Sequence, residues 1–266
     1  MPVLPLTHVY LSPHLDDAVL SCGGMIHHQT QAGEAVTVVT LCAGWPASGP
    51  TTTFAESLHA RWRISAAQAV SARQAEDRAA LQVLNAKGQP LDIPDCIYRF
   101  DPANGQALYA SEEALWGEVH PAEAGLIQQA TGALQAILSQ FPAGRLYVPL
   151  TLGHHVDHQL ARRAAEQTGR VWAYYEDYPY ADRAARLAPH SKVTGDETSG
   201  LTPHRIFLTD ADLRAKGRAV AAYASQISTF WSSPAEMEAS LRAYAAHVGG
   251  GQWAETLWHT PAVSET

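Results

Sequence analysis

Two short stretches of the chain carry side chains able to do chemistry. "SPHLDD" (residues 12–17) sets His14 and Asp17 three apart with Asp16 between them. "GHHVDHQ" (153–159) offers His154, His155, Asp157 and His158, with His155 and His158 again three apart. Side chains three apart at a helix start project to the same side of one turn, so each stretch can present a pair. Adjacent carboxylates such as Asp16 and Asp17 repel each other unless a cation lies beside them. His14, Asp17 and one distal histidine make a two-histidine, one-carboxylate set. Three protein donors leave a fourth position for water, which is the arrangement of a catalytic rather than a structural metal site. On this reading Asp17 binds the metal, and Asp16, left unligated, takes the proton of a water that the metal has acidified. The competing reading is that both aspartates only cap a helix and complement its dipole. Capping accounts for one carboxylate, but for neither the preceding histidine nor the second cluster.

Regular elements must deliver both clusters to one place. "THVYLS" (7–12) reads as a strand and Asp16 to Gln31 as a helix, with Val19, Leu20, Met25 and Ile26 on one side and Gly33 closing it. "AVTVVTLC" (35–42) is a continuous apolar run, the pattern of a strand buried on both faces. This β-α-β start predicts a parallel sheet with a right-handed crossover. Further strands are predicted within "LDIPDCIYRF" (91–100) and at 144–150, 170–175 and 204–210. Helices are predicted at about 71–86 and 120–140, with a helix pair over 211–246. Residues 43–60, rich in Gly, Pro, Ser and Thr, read as a long functional loop, and 101–118 as irregular. The expected fold is α/β, a Rossmann-like layered structure with a mostly parallel sheet flanked by helices. Such sheets bind ligands beyond the carboxyl ends of their strands, where both clusters fall.

"PHLDD" after the first strand and "HVDH" after a later one together resemble the PIG-L/LmbE-like zinc-dependent de-N-acetylases. That family includes deacetylases of N-acetylglucosaminyl-phosphatidylinositol, of mycothiol and bacillithiol precursors, and of some glycopeptide antibiotics. The resemblance implies His14, Asp17 and His158 as metal ligands and Asp16 as general base. It also implies His155, protonated, as the group that stabilises the oxyanion, with Asp157 orienting it. His154 matches no functional position. The chain departs from the common family pattern at Leu15, Ala18 and Val156, none of them a ligand. The cofactor implied is Zn2+, although a two-histidine, one-carboxylate set suits Fe2+ as well. The implied reaction is hydrolysis of the acetamide of an N-acetylglucosamine-type sugar in a small glycoconjugate.

Four further residues are candidates for substrate contact. Arg73 stands at a position where the family often has an arginine, against the alternative of an ion pair with Glu76 on the same helix. Asp177 and Tyr178, in "YYEDYPY", follow a strand and resemble the family's substrate-side segment. Trp45 sits at the base of the 43–60 loop. Glu255 weakly resembles a C-terminal family glutamate, and Cys22 reads as a small core residue. His27 and His28 are expected on a solvated helix face.

Composition bounds the rest. The 266 residues are 46% hydrophobic with a formal net charge of -8, enough for one large core and unlike a general nucleic-acid binder, which needs a basic surface. Neither a membrane span nor a secretory leader is recognisable, so a cytoplasmic location is expected. Three widely spaced cysteines without a CxxC pair argue against a disulfide framework. One domain over 1–266 is expected, with a C-terminal lobe from about 178 completing the substrate side. The expected partner is the glycoconjugate alone, with homo-oligomerisation left open. Two other readings are a metal phosphohydrolase of the HD type, which is all-helical, and a non-catalytic sugar-binding protein on the same scaffold.

Overall fold

Val9 and Leu11 alternate with Tyr10 along the first strand, so β1 (Thr7–Ser12) buries both of its faces. The computed structural model describes residues 6–46, 51–182 and 196–261. After β1 come α1 (Asp17–Gln31) and β2 (Ala35–Thr40), which pairs with β1 in parallel from Thr7↔Ala35 to Ser12↔Thr40. Next are α2 (Thr53–Trp62), α3 (Ala66–Val83), β3 (Lys87–Pro90), α4 (Glu112–Leu115), α5 (Ala124–Leu138), β4 (Arg145–Pro149), α6 (Val156–Gln167) and β5 (Val171–Tyr175). The last third supplies β6 (Thr202–Phe207), α7 (Asp210–Ala221), α8 (Ala224–Phe230), α9 (Pro234–Val248) and β7 (Ala254–His259).

The strands form one sheet in the order β3-β2-β1-β4-β5-β7-β6. The run from β3 to β5 is parallel, and β7 and β6 join antiparallel beyond β5. The α/β expectation therefore holds, with the mixed edge contributed by the C-terminal third. The chain winds from β1 out to β3 on one side and returns to β4 on the other. The carboxyl ends of β1 and β4 consequently flank the switch point of the sheet, where a crevice opens. Two cores cover the two faces. Val9 and Leu11 pack with Leu134, Leu138, Leu160 and Ala164 of α5 and α6, while Tyr10, Val36 and Val38 pack with residues of α1, α3 and α7.

Three predicted elements differ. Residues 43–60 are not a continuous loop, because α2 begins at Thr53, capped by the Thr52 hydroxyl accepting the Ala55 N–H, with Ala55 and Leu58 buried. The turn-forming residues lie on the approach to it, and 47–50 fall outside the described residues. The strand expected within 91–100 is absent: the polar Lys87–Pro90 pairs with β2 instead. The apolar run after it bends into a 3-10 turn at Cys96–Tyr98, where Pro94 offers no N–H and the Asp95 carboxylate accepts the Ile97 N–H. Finally, His27 and His28 are not simply solvated, since both Nδ1 atoms approach the buried Asp212 carboxylate, at 2.7 and 3.3 Å.

The glycine pair after Cys22 has a steric reason. A Cβ on Gly23 would lie 3.0 Å from Lys216 Cγ, and one on Gly24 only 2.5 Å from Leu208 Cδ1 and 3.1 Å from Glu255 Oε1. Through this gap the Glu255 carboxylate accepts the backbone N–H groups of Gly24 (3.0 Å) and Met25 (2.8 Å). Lys216 Nζ donates both to Glu255 (2.7 Å) and to the Ser21 carbonyl (3.1 Å). A buried ion pair from α7 and β7 is thus inserted against the middle of α1.

Candidate active site

Ser12, the last residue of β1, decides how α1 begins. Its hydroxyl donates to the His14 carbonyl at 2.6 Å and accepts the Ala18 N–H at 3.0 Å. Asp16 stands at the N-cap position but makes no capping hydrogen bond. Its carboxylate is turned instead to Arg73, 3.6 Å away. The capping explanation of the paired aspartates therefore fails for Asp16. Asp17 Oδ2 accepts the His14 backbone N–H at 2.7 Å and lies 3.0 Å from His14 Nδ1 and 3.3 Å from His158 Nε2.

The second cluster follows β4 through a strained loop. Thr151 and His154 both have positive φ, 67° and 65°, a backbone cost tolerated where the surroundings over-determine the loop. His154 points outward to Glu118 at 3.0 Å, in keeping with its lack of an expected role. His155 caps α6: its Nδ1 accepts the Asp157 backbone N–H at 3.2 Å. That bond fixes the neutral tautomer with the proton on Nε2. His158 Nδ1 is bonded to Asp177 Oδ1 at 2.6 Å, and its Nε2 faces Asp17. The Nε2 atom is buried and has no hydrogen-bond partner.

These distances test whether a metal fits. Zinc bonds of 2.0–2.1 Å in tetrahedral geometry put neighbouring donor atoms about 3.3 Å apart. The spacings of 3.0 and 3.3 Å around Asp17 Oδ2 match that edge, and an orphaned, buried nitrogen is what a missing cation leaves behind. Ring nitrogens of His14, His155 and His158 also lie within 4.8 Å of one another, so the buried His/Asp cluster is able to hold a metal ion. Each proposed histidine ligand has a carboxylate behind it: Asp157 Oδ2 at 3.0 Å from His14 Nε2, and Asp177 at His158.

Electrostatics follow the same geometry. Burial, reinforced by the Asp17 charge, pushes Asp16 up to about 6, against the pull of Arg73. Burial would raise Asp17 too, but His158 and His14 hold it well below the usual carboxylate range. Burial would lower His158, yet the Asp17 and Asp177 carboxylates bring it up to about 9. Burial also opposes the charge of His14, which Asp17 and Asp157 nevertheless raise well above the usual histidine value. His155 is held far below it by burial and by the His14 charge. A protonated His155 is therefore not what this site favours; the neutral ring with its Nε2–H is.

A cavity of about 300 Å³ opens over these groups. His14, Asp16, Asp17 and His155 form its floor, and Phe54, Trp62, Trp116, Tyr180 and Phe230 are among its walls. Arg73 is there as expected, paired with Asp16 and Asp95 at 3.6 Å each and lying over the Trp62 ring, while Glu76 bonds Ser225. Three other candidates are elsewhere. Trp45 is half exposed and outside the cavity lining, and Trp62 of α2 stands at the cavity in its place. Tyr178 is buried between Trp231 and Tyr244, with its N–H on the Ser21 hydroxyl; the cavity tyrosine is Tyr180. Asp177 is buried behind His158 and also accepts the Leu152 N–H, so it faces that histidine and not the cavity. Asp157 does not orient His155 through its carboxylate, which is directed to His14, Arg99 and the Cys96 N–H; its backbone does so. Glu255 belongs to the α1 wedge.

The chain is similar to known deacetylases. A family model described as GlcNAc-PI de-N-acetylase, PIG-L, matches residues 9–168. A 2'-N-acetylparomamine deacetylase from Streptomyces fradiae is 29% identical over 225 residues, covering 81% of this chain and 72% of that protein. The zinc-inhibited form of the teicoplanin deacetylase Orf2 superposes with a TM-score of 0.81 at 27% identity, over 95% of this chain and 97% of the other. A deacetylase–teicoplanin complex superposes at 0.77, also 27% identical, over 95% and 97% of the two chains.

Proposed function

The chain belongs to the PIG-L family of GlcNAc-PI de-N-acetylases, and on that premise we propose that it is a zinc-dependent hydrolase. Its reaction is removal of the acetyl group from an N-acetylglucosamine-type sugar of a small glycoconjugate, releasing acetate and a free amine. Likeness to deacetylases named for paromamine and teicoplanin supports an antibiotic-type sugar as the substrate class. The observation that carries the reading is Asp16, an uncapped carboxylate on the cavity floor, beside donors with metal-ligand spacing.

His14, Asp17 and His158 would hold the cation, which supplies a Lewis acid that polarises the amide carbonyl and acidifies water. Asp16 takes the proton of the attacking water as the C–O bond forms. His155 donates its Nε2–H to the oxygen on which negative charge develops, a preorganised donor that needs no charge of its own. Asp16 then delivers its proton to the departing nitrogen as the C–N bond breaks. Arg73 keeps Asp16 ionised and turned to the cavity. The aromatic walls suit the C–H faces of a sugar and exclude water. The HD-type phosphohydrolase reading falls with the seven-stranded sheet.

The test is release of free amine from a panel of 2-acetamido sugar conjugates by wild type and Asp16→Asn, with metal content measured on both. Retained metal with a loss of about 10²–10⁴ in kcat is expected for a missing general base. The acid limb of kcat/KM should lie at or below pH 6, because protonation below that value removes the base and a bound cation can only lower it. A variant that keeps full activity would refute the role of Asp16.

A further inference from the structure

On the side of Asp157 away from the cavity runs a line of buried charges that the reaction above does not use. Asp157 is fully buried, and its oxygens are divided between two tasks. Oδ2 lies 3.0 Å from His14 Nε2 and accepts the Cys96 N–H at 3.0 Å, while Oδ1 accepts Arg99 Nη2 at 2.5 Å. Arg99 is itself only 6% exposed. Its Nη1 donates to the Pro94 carbonyl at 3.2 Å, and its Nε lies 2.6 Å from Glu123 Oε1. Glu123 Oε2 in turn accepts the Tyr109 hydroxyl at 2.5 Å, and that hydroxyl oxygen accepts the His120 N–H at 2.8 Å. Charges alternate in sign along this line, from the His14 ring outward.

The other histidine is treated differently. Asp177, behind His158, is bonded to that ring and to the Leu152 N–H, and no arginine or lysine pairs with it among the described residues. One ligand histidine is therefore braced by a guanidinium and the other is not. Burying an arginine costs several kcal/mol unless its hydrogen bonds and charge are met, so a brace of this kind is not a neutral filler. Its geometric effect is specific. Arg99 grips one oxygen of Asp157 and thereby fixes the direction of the other. Only while that second oxygen engages Nε2 does the His14 ring keep Nδ1 turned to Asp17 and His158; a half-turn about its Cβ–Cγ bond would put ring carbons where the two nitrogens stand.

We infer that Arg99 is a positioning residue for the metal centre, acting through Asp157 to hold the His14 ring in its ligating orientation. This rests on the reading of His14, Asp17 and His158 as ligands. Zinc dissociation constants, from competition with a chromophoric chelator, are compared for wild type, Arg99→Lys, Glu123→Gln and His158→Ala. A lysine cannot reach Asp157, Glu123 and the Pro94 carbonyl together, so Arg99→Lys should weaken zinc binding roughly tenfold or more, the scale of outer-shell replacements. Glu123→Gln keeps the Arg99–Asp157 pair and loosens only its far end, so it should shift the constant in the same direction by less. It also carries the test if Arg99→Lys does not fold. At saturating zinc the KM for the sugar should be unchanged. Zinc affinity within twofold of wild type in folded Arg99→Lys, or in Glu123→Gln if that alone folds, would overturn the inference, whatever happens to the melting temperature. His158→Ala should abolish tight uptake. If it binds as wild type does, the ligand assignment itself fails, and the inference with it.

Discussion

Replacing Asp177 by asparagine separates two roles for a residue that the sequence suggests as a sugar contact and the structure puts behind His158, the proposed metal ligand. Both carboxylate oxygens of Asp177 accept: Oδ1 from His158 Nδ1 at 2.6 Å, and Oδ2 from the Leu152 N–H at 3.1 Å. Asparagine offers one acceptor and one donor. In either orientation, an amide N–H must face another N–H in a site that is 1% exposed. If the carbonyl stays on His158, that bond changes from charge-assisted to neutral, losing about half its strength. With net values of roughly 1.5–3 kcal/mol for charged and 0.5–1.5 for neutral pairs, about 1–1.5 kcal/mol is lost there. A loss of that size weakens zinc binding about 5- to 12-fold, the lower end of the range for outer-shell replacements. If the amide turns over, the histidine loses its tautomer support altogether. The assay is chelator competition on the purified variant, followed by kinetics at saturating zinc. Restored kcat with an unchanged KM fits a residue that acts through His158. Unchanged zinc affinity with a raised KM would refute the reasoning and return Asp177 to the substrate.

Two further outcomes follow from the same geometry. Zinc uptake should release protons, because His158, at about 9, and His14, which Asp17 and Asp157 raise well above the usual histidine value, are both protonated in the free site near neutrality. Apparent affinity should then rise with pH between 6 and 9; calorimetry in buffers of different ionisation enthalpy checks this, and a pH-independent affinity would sink it. Gly24→Ala would push a methyl into Leu208 and Glu255, an overpacking of about 1–3 kcal/mol, seen as a melting temperature lowered by several degrees.

Local signals carried the parts of the fold that local patterns determine. The β1-α1-β2 start was legible because a buried parallel strand is apolar throughout and a helix is not. The motif spacing placed His14, Asp16 and Asp17 on one turn, and β4 brought His155 and His158 to them, as strand-end position implied. The Gly- and Pro-rich approach to α2 masked the Phe54–Leu58–Trp62 stripe, four residues apart, that lines the cavity. The run Leu91–Phe100 looked like a strand by composition, but sheet pairing needs only backbone, and the polar Lys87–Pro90 took the edge. Arg99 and Trp116 carry no local mark at all, and Tyr180 is marked only as one tyrosine of the run 174–180. Their roles arise from contacts across the fold, such as Arg99 to Asp157, 58 positions apart. Asp177 and Tyr178 lie just past the end of β5, where the chain turns and alternation no longer says which way a side chain points.

The ion pair lodged against α1 ties the helix that begins at Asp16 and Asp17 to the order in which the chain is made. Gly24 and Glu255 are 231 positions apart. At a synthesis rate of about 5–20 residues per second, Glu255 is added roughly 10–45 s after Gly24. For most of that interval α1 has two glycines at its centre and neither the carboxylate nor the ammonium that meets its backbone there, Lys216 being made 39 residues before Glu255. The parallel strands can assemble before either group exists, since β5 ends at Tyr175. The centre of α1 therefore meets its full set of partners only once β7 has been made, although α1 is itself among the first elements of the chain.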